Sequence, residues 1–225
     1  MTRTSRTWFQ VVVGLGFLVT ALFLPAGRLD YWQGWIYLGL SLAVLLVTGY
    51  VLRDNPGLIA ERLYPGRGMK AWDKVYFGLS APLYFGALFL AGLDAGRGHW
   101  TGKFPSGLYA VGILLFLLGQ FLFLWAKKAN SYFSSVVRIQ ADRGQTVCRA
   151  GPYRYVRHPG YLAGILFGLA TPLILGSAWA LVPQSLAALL LVGRTALEDS
   201  TLKKELPGYR EYARAVPCRL VPRVW

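Results

Sequence analysis

YLAGILFGLATPLILGSAWALVPQSLAALLLV, residues 161–192, contains no acidic or basic side chain from end to end, and how it is divided decides the fold. A hydrocarbon layer of ~30 Å takes about 20 helical residues, so this run is too long for one crossing. Gly176 and Ser177 interrupt it, and Pro172 and Pro183 fall where a helix kinks and neighbouring helices can satisfy the freed backbone. The run reads as two short antiparallel helices joined by a tight turn, with a single tilted helix as the alternative. Working outward, four further apolar runs of spanning length occupy residues 8–24, 35–52, 75–93 and 108–126. The expected fold class is therefore an all-α integral membrane protein of about six passes, the last two a short helical hairpin.

Composition agrees. The chain has 225 residues, 55% of them hydrophobic and 15% charged. Its mean hydropathy is +0.41. An average soluble domain is about 25% charged, so disorder is excluded and an ordinary soluble globule is not the expected class. The net charge of +14 would suggest nucleic acid in a soluble protein. Sorted by segment, however, 21 of the 24 basic residues fall on one side of a six-pass topology, and Arg28, Arg97 and Lys103 alone fall on the other. The positive-inside rule then makes both termini and all large basic loops cytoplasmic. No nucleic-acid partner is expected. The first span lacks an A-x-A cleavage site before Arg28 and Asp30, so it is expected to stay in place as a helix.

The organisation that follows has an N-terminal part, residues 1–106, with three membrane helices and an interfacial loop at 53–74. The rest, 107–225, comprises a fourth helix, a cytoplasmic cap at 127–160, the hairpin 161–192, and a C-terminal helix and tail at 193–225. Within the interfacial loop, 54–63 reads as an amphipathic helix with Leu58, Ile59 and Leu63 toward lipid. Cys148 and Cys218 lie in cytoplasmic segments, where a disulfide would be reduced. They form no zinc pattern, since there is no CxxC and His99 lies on the opposite side, so no metal is expected.

The longest polar stretch, 127–160, is where chemistry is expected. Val136-Val137-Arg138-Ile139-Gln140 and Thr146-Val147-Cys148 flank Asp142-Arg143-Gly144, a pattern that predicts a small hairpin on the membrane face. Gly151-Pro152-Tyr153 and Arg157-His158-Pro159-Gly160-Tyr161 follow. Pro159 starts a helix and leaves His158 at its cap, where outward N–H groups suit an anion or carboxylate. Tyr and Arg at this depth also serve as headgroup anchors, and both readings stand. Beyond the last apolar run, Arg194 and Glu198 share a helix face at spacing i, i+4. They form either a surface ion pair or a pair of ligand-holding charges, the acid for a cation or hydroxyls and the arginine for a carboxylate. The tail from Leu206 to Trp225 alternates aromatics with arginine and is expected to close over the cap.

Taken together, Asn130-Ser131-Tyr132-Phe133, Gly151-Pro152-Tyr153, Arg157-His158-Pro159-Gly160-Tyr161, Arg194-x-x-x-Glu198-Asp199, Leu202, Pro207-Gly208-Tyr209 and Tyr212 resemble the isoprenylcysteine carboxyl methyltransferase family. These are integral-membrane enzymes dependent on S-adenosylmethionine and related to phospholipid methyltransferases. The resemblance covers about the last hundred residues. It implies that His158, Pro159, Gly160 and Tyr161 border the S-adenosylmethionine pocket, and that Tyr153 and Glu198 contact the cofactor. It also implies that Gln140 and the segment Gln145, Thr146, Val147 and Cys148 lie along the adenosine, and that Arg194 takes the methyl acceptor's carboxylate. Arg194 and Glu198 are thus the expected catalytic pair, with Arg194 binding substrate.

The expected partners are membrane lipids and a lipophilic or lipidated acceptor entering from the bilayer. The expected location is the inner membrane of a bacterium or the endoplasmic reticulum of a eukaryote. Three alternatives remain: phospholipid or amine N-methylation, an NADPH-dependent sterol-type reductase sharing the RHP segment, and a non-enzymatic membrane scaffold. Against the reductase, Leu162-Ala163-Gly164 follows Tyr161 where those enzymes place an acid.

Overall fold

A computed structural model describes residues 3–65, 67–222 and 224–225, with side chains from residue 11 onward. Among these residues the secondary structure is helical, with no strand. Five long helices form the bundle: α1 (Arg3–Ala26), α2 (Trp32–Leu52), α4 (Ala71–Leu93), α5 (Ser106–Ala129) and α7 (Leu181–Glu205). A sixth, α6 (Pro159–Leu175), is shorter, and α3 (Pro56–Leu63) and α8 (Tyr209–Ala215) are the small ones.

Four helical stretches, Trp32–Leu52, Ala71–Gly98, Ser106–Ala129 and Leu181–Glu205, are long and apolar enough to cross a membrane, and Val11–Ala26 and Pro159–Leu175 are shorter apolar helices. At 1.5 Å per residue, α6 is about 26 Å long, just under the hydrocarbon thickness. The run 161–192 breaks where expected, α6 ending at Gly176, whose φ of 73° is left-handed. Gly is suited to that turn because a Cβ there would be strained. The second helix of the run is not short, however: α7 runs unbroken from Leu181 to Glu205, 25 residues, taking in the segment expected as a separate C-terminal helix.

Small residues set the closest helix approach. A Cβ on Gly112 would lie 2.9 Å from the backbone nitrogen of Ile174, and one on Gly119 would lie 2.9 Å from that of Phe167. Two glycines two turns apart on α5 thus bring the α6 backbone against it. Asp94, just beyond α4, ties together the end of the bundle remote from the cap. Its carboxylate accepts from the Thr101 N–H at 2.9 Å, from the Thr101 hydroxyl, and from the Ser177 hydroxyl at 2.6 Å.

Two local expectations are corrected. The stretch 136–148 is not a hairpin but a loop with a single tight turn at Ala141–Arg143. The donors a strand ladder needs are already taken by side chains: the Val137 N–H donates to Asp73 and the Gln140 N–H to Gln145 Oε1, both at 2.7 Å. The expected interfacial helix also forms, capped by Asn55, which accepts from the Leu58 N–H at 3.1 Å. However, Leu58 is fully buried rather than lipid-facing. The helix turns that side inward because Glu61, on the same side, pairs with the buried Arg138 at 2.7 Å.

Candidate functional site

Loop 130–148, the start of α6, the C-terminal part of α7 and α8 line an open cavity of about 780 Å³. Of the residues expected to hold a cofactor, Gln140, Gln145, Thr146, Val147, Cys148, Tyr153, His158, Gly160, Tyr161 and Glu198 line it, and Pro159 does not. Pro159 instead starts α6 and is buried.

The framework under the cavity is an ionic hub that sequence reading did not single out. Asp199 is fully buried. It accepts from Arg157 Nε at 2.7 Å and Nη2 at 3.0 Å, and from the Tyr209 hydroxyl at 3.1 Å. Lys203 Nζ at 2.8 Å and Arg219 Nε at 3.1 Å complete it. His158 Nε2 sits 3.4 Å from the same carboxylate and 3.3 Å from Tyr209 Oη. The tail reaches this hub through its backbone: the N–H groups of Arg157 and His158 donate to the carbonyls of Cys218 and Arg219 at 3.0 and 2.9 Å. The N–H of the cap residue His158 is therefore spent on holding the tail. The signal for the hub was Arg157 and Asp199 flanking His158 and Glu198 in the quoted motifs, read there as family markers only.

Tyr161 joins the two expected catalytic residues. Its hydroxyl donates to Glu198, its ring stacks on His158 with centroids 5.7 Å apart, and the guanidinium of Arg194 lies 5.2 Å from its face. Arg194 and Glu198 form no surface ion pair. Arg194 is buried outside the cavity lining and donates to Asp73, Nε to Oδ1 at 2.8 Å and Nη2 to Oδ2 at 3.2 Å. Nη2 also reaches the Ser135 carbonyl at 3.0 Å. Tyr76 and Phe77 flank the guanidinium at 4.6 and 4.9 Å. Asp73, a lone acid in the first turn of an apolar helix, was the overlooked sign of a buried partner.

Across the cavity, the Tyr153 hydroxyl accepts from Asn130 Nδ2 at 3.3 Å, and the Tyr212 hydroxyl donates to the Tyr153 carbonyl at 2.7 Å. Burial raises the pKa of Tyr153, Tyr209 and Tyr212, so these phenols stay neutral donors. Burial also pushes the Cys148 thiol up. The lining therefore offers tyrosine rings for stacking, the amides of Asn130, Gln140 and Gln145, and a single carboxylate, Glu198. Arg138 and Arg157 also border it, each already paired with a carboxylate, so Glu198 is the acid left facing the space.

Residues 111–204 match the isoprenylcysteine carboxyl methyltransferase (ICMT) family. The chain is also 27% identical over 224 residues to Delta(14)-sterol reductase TM7SF2 of Mus musculus, an alignment covering 85% of this chain. It spans about half the length of that curated relative, 52%.

Proposed function

Taking residues 111–204 as a member of the ICMT family, we propose that the protein transfers a methyl group from S-adenosylmethionine to a lipophilic acceptor at the cytoplasmic membrane face. The acceptor reading that fits best is carboxyl O-methylation of an isoprenylcysteine-like or other lipid carboxylate. The topology proposed with it has six passes and both termini cytoplasmic. The observation that carries the reading is a cavity of about 780 Å³ that gathers ten of the eleven residues expected to hold the cofactor.

Bound there, S-adenosylmethionine would supply a methyl group on a positively charged sulfur. Glu198, fixed by Tyr161, provides the countercharge, and Gln140, Gln145 and Asn130 hold the loop that walls the nucleoside's place through their own hydrogen bonds. A carboxylate acceptor is already an anion at neutral pH, so no general base is needed. The work left to the chain is alignment and exclusion of water, which supply most of the rate for such a transfer. Tyr153, Tyr161, Tyr209 and Tyr212 close the cavity for that purpose, and Arg194, locked by Asp73, directs positive charge toward the acceptor's side of Tyr161.

A second reading, an NADPH-dependent reductase, is favoured by the sterol-reductase similarity over most of the chain. One titration separates the two. Purified protein is expected to gain thermal stability with S-adenosylhomocysteine and none with NADPH; a shift with NADPH alone overturns the methyltransferase reading.

A further inference from the structure

Buried charges in proteins are paired or hydrogen-bonded, because desolvating an unpaired ion costs several kcal/mol. The chain follows this rule at Arg138, Arg157 and Arg194, each facing a carboxylate. Lys127 has no such carboxylate, and the partly buried Arg62 stands beside it. Lys127, in the last turn of α5, is 8% exposed. Its Nζ lies 4.2 Å from the centroid of Phe123 with no ion pair or hydrogen bond among the described residues. Since no buried polar atom there lacks a partner, the ammonium reaches accessible space at the end of a buried stem. The Arg62 guanidinium lies 5.4 Å from the same ring and 5.0 Å from Phe133, again with no acceptor for its side chain.

The two like charges thus share one ring and no carboxylate. Burial lowers the basicity of Arg62, with Tyr153 acting to raise it and Arg194 to lower it further. Service to the helix dipole does not explain Lys127, since Lys128 occupies the same last turn and is exposed. The aromatic wall between the cations and the cavity is thin. Phe133 lines the cavity, and its ring packs 5.4 Å from Phe123 and against Gly160. The pair therefore sits beside the cavity at the end of two apolar helices, where a lipid headgroup reaches.

We infer that Arg62 and Lys127 form a binding site for an oxyanion carried on a membrane-borne apolar chain, docked against Phe123 and Phe133. The oxyanion is either the carboxylate of a lipid acid awaiting methylation or the phosphate of an anionic phospholipid. Assigning the carboxylate to a methyl acceptor rests on the proposed function; the oxyanion site does not.

The test uses the full chain and the variants Lys127→Met and Arg62→Met/Lys127→Met, which keep the apolar stems. Thermal midpoints are followed with oleate against methyl oleate in neutral detergent, and in phosphatidylcholine nanodiscs with and without phosphatidylglycerol. The expected result is stabilisation by oleate but not by its ester, with apparent affinity at least tenfold weaker in the double variant and intermediate in the single one. Stabilisation by phosphatidylglycerol alone, lost in the same variants, supports the site and assigns it to a headgroup phosphate. Equal responses in parent and variants, or no response of the parent to either probe, overturn it. S-adenosylhomocysteine is titrated in parallel. Loss of that response alone sinks the methyltransferase reading and leaves the oxyanion site standing.

Discussion

Asp199 accepts from four cationic or phenolic side chains that come from three separate segments: the 157–158 entrance to α6, the end of α7 through α8, and the tail. Removing one partner of a buried pair leaves an uncompensated charge, at a cost of ~3–5 kcal/mol. Asp199→Ala is therefore expected to lower the thermal midpoint sharply in detergent, while Lys203→Ala, which removes a partly exposed partner, changes it little. Circular dichroism melts of the two variants compare them directly. A second residue-scale prediction concerns Cys148. Because burial raises its thiol pKa and the thiolate is the reactive form, its alkylation in a Cys218→Ser background should still be accelerating above the ordinary thiol range of ~8.5. Below that range the thiol is neutral and slow. Since Cys148 lines the cavity, S-adenosylhomocysteine should slow the reaction further. A rate-against-pH profile by mass spectrometry, with and without that ligand, checks both.

The contact between α5 and α6 depends on what is missing at two positions. At Gly112 and Gly119 the atoms a new Cβ would meet include backbone of α6 at 2.9 Å, and backbone cannot swing aside as a side-chain tip can. Gly119→Leu is expected to force the helices apart, with ~1–3 kcal/mol lost to overpacking and a distorted cavity wall, because α6 opens at His158. Gly107→Ala, which meets nothing within 4 Å, is expected to be neutral or slightly stabilising. Unfolding midpoints of the two variants, read beside S-adenosylhomocysteine binding, decide it.

At this scale, the legible part of the sequence and the hidden part separate clearly. The turn at Gly176 and the helix start at Pro159 were readable because proline and glycine act locally. The loop at 136–148 was misread, because alternation there looked like a strand while its backbone donors went to Asp73 and Gln145, partners 64 and 5 residues away. Likewise, the spacing of Arg194 and Glu198 gave their shared face. It could not show that Asp73, on another helix, would claim the guanidinium first.

Over the whole molecule, the distribution of charge predicts an orientation, since sidedness is an additive property of loops and needs no contact map. In a background with Cys148 and Cys218 replaced by serine, Lys103→Cys is expected to react with a membrane-impermeant maleimide on intact cells, and Lys204→Cys only after permeabilisation. Both positions are exposed, so the contrast reads topology rather than burial; the reverse pattern would overturn the proposed orientation.

The two carboxylates bracketing α4 bear on how the chain assembles. Asp73 receives Arg194, and Asp94 receives Ser177; both donors are synthesised long after α4 itself. A nascent chain halted before residue 177 therefore holds α4 with an incompletely satisfied acid near each end. The final hairpin then acts as a latch whose arrival settles both at once. Quality-control machinery that recognises unmet polar groups in the bilayer would have a natural reason to wait for it.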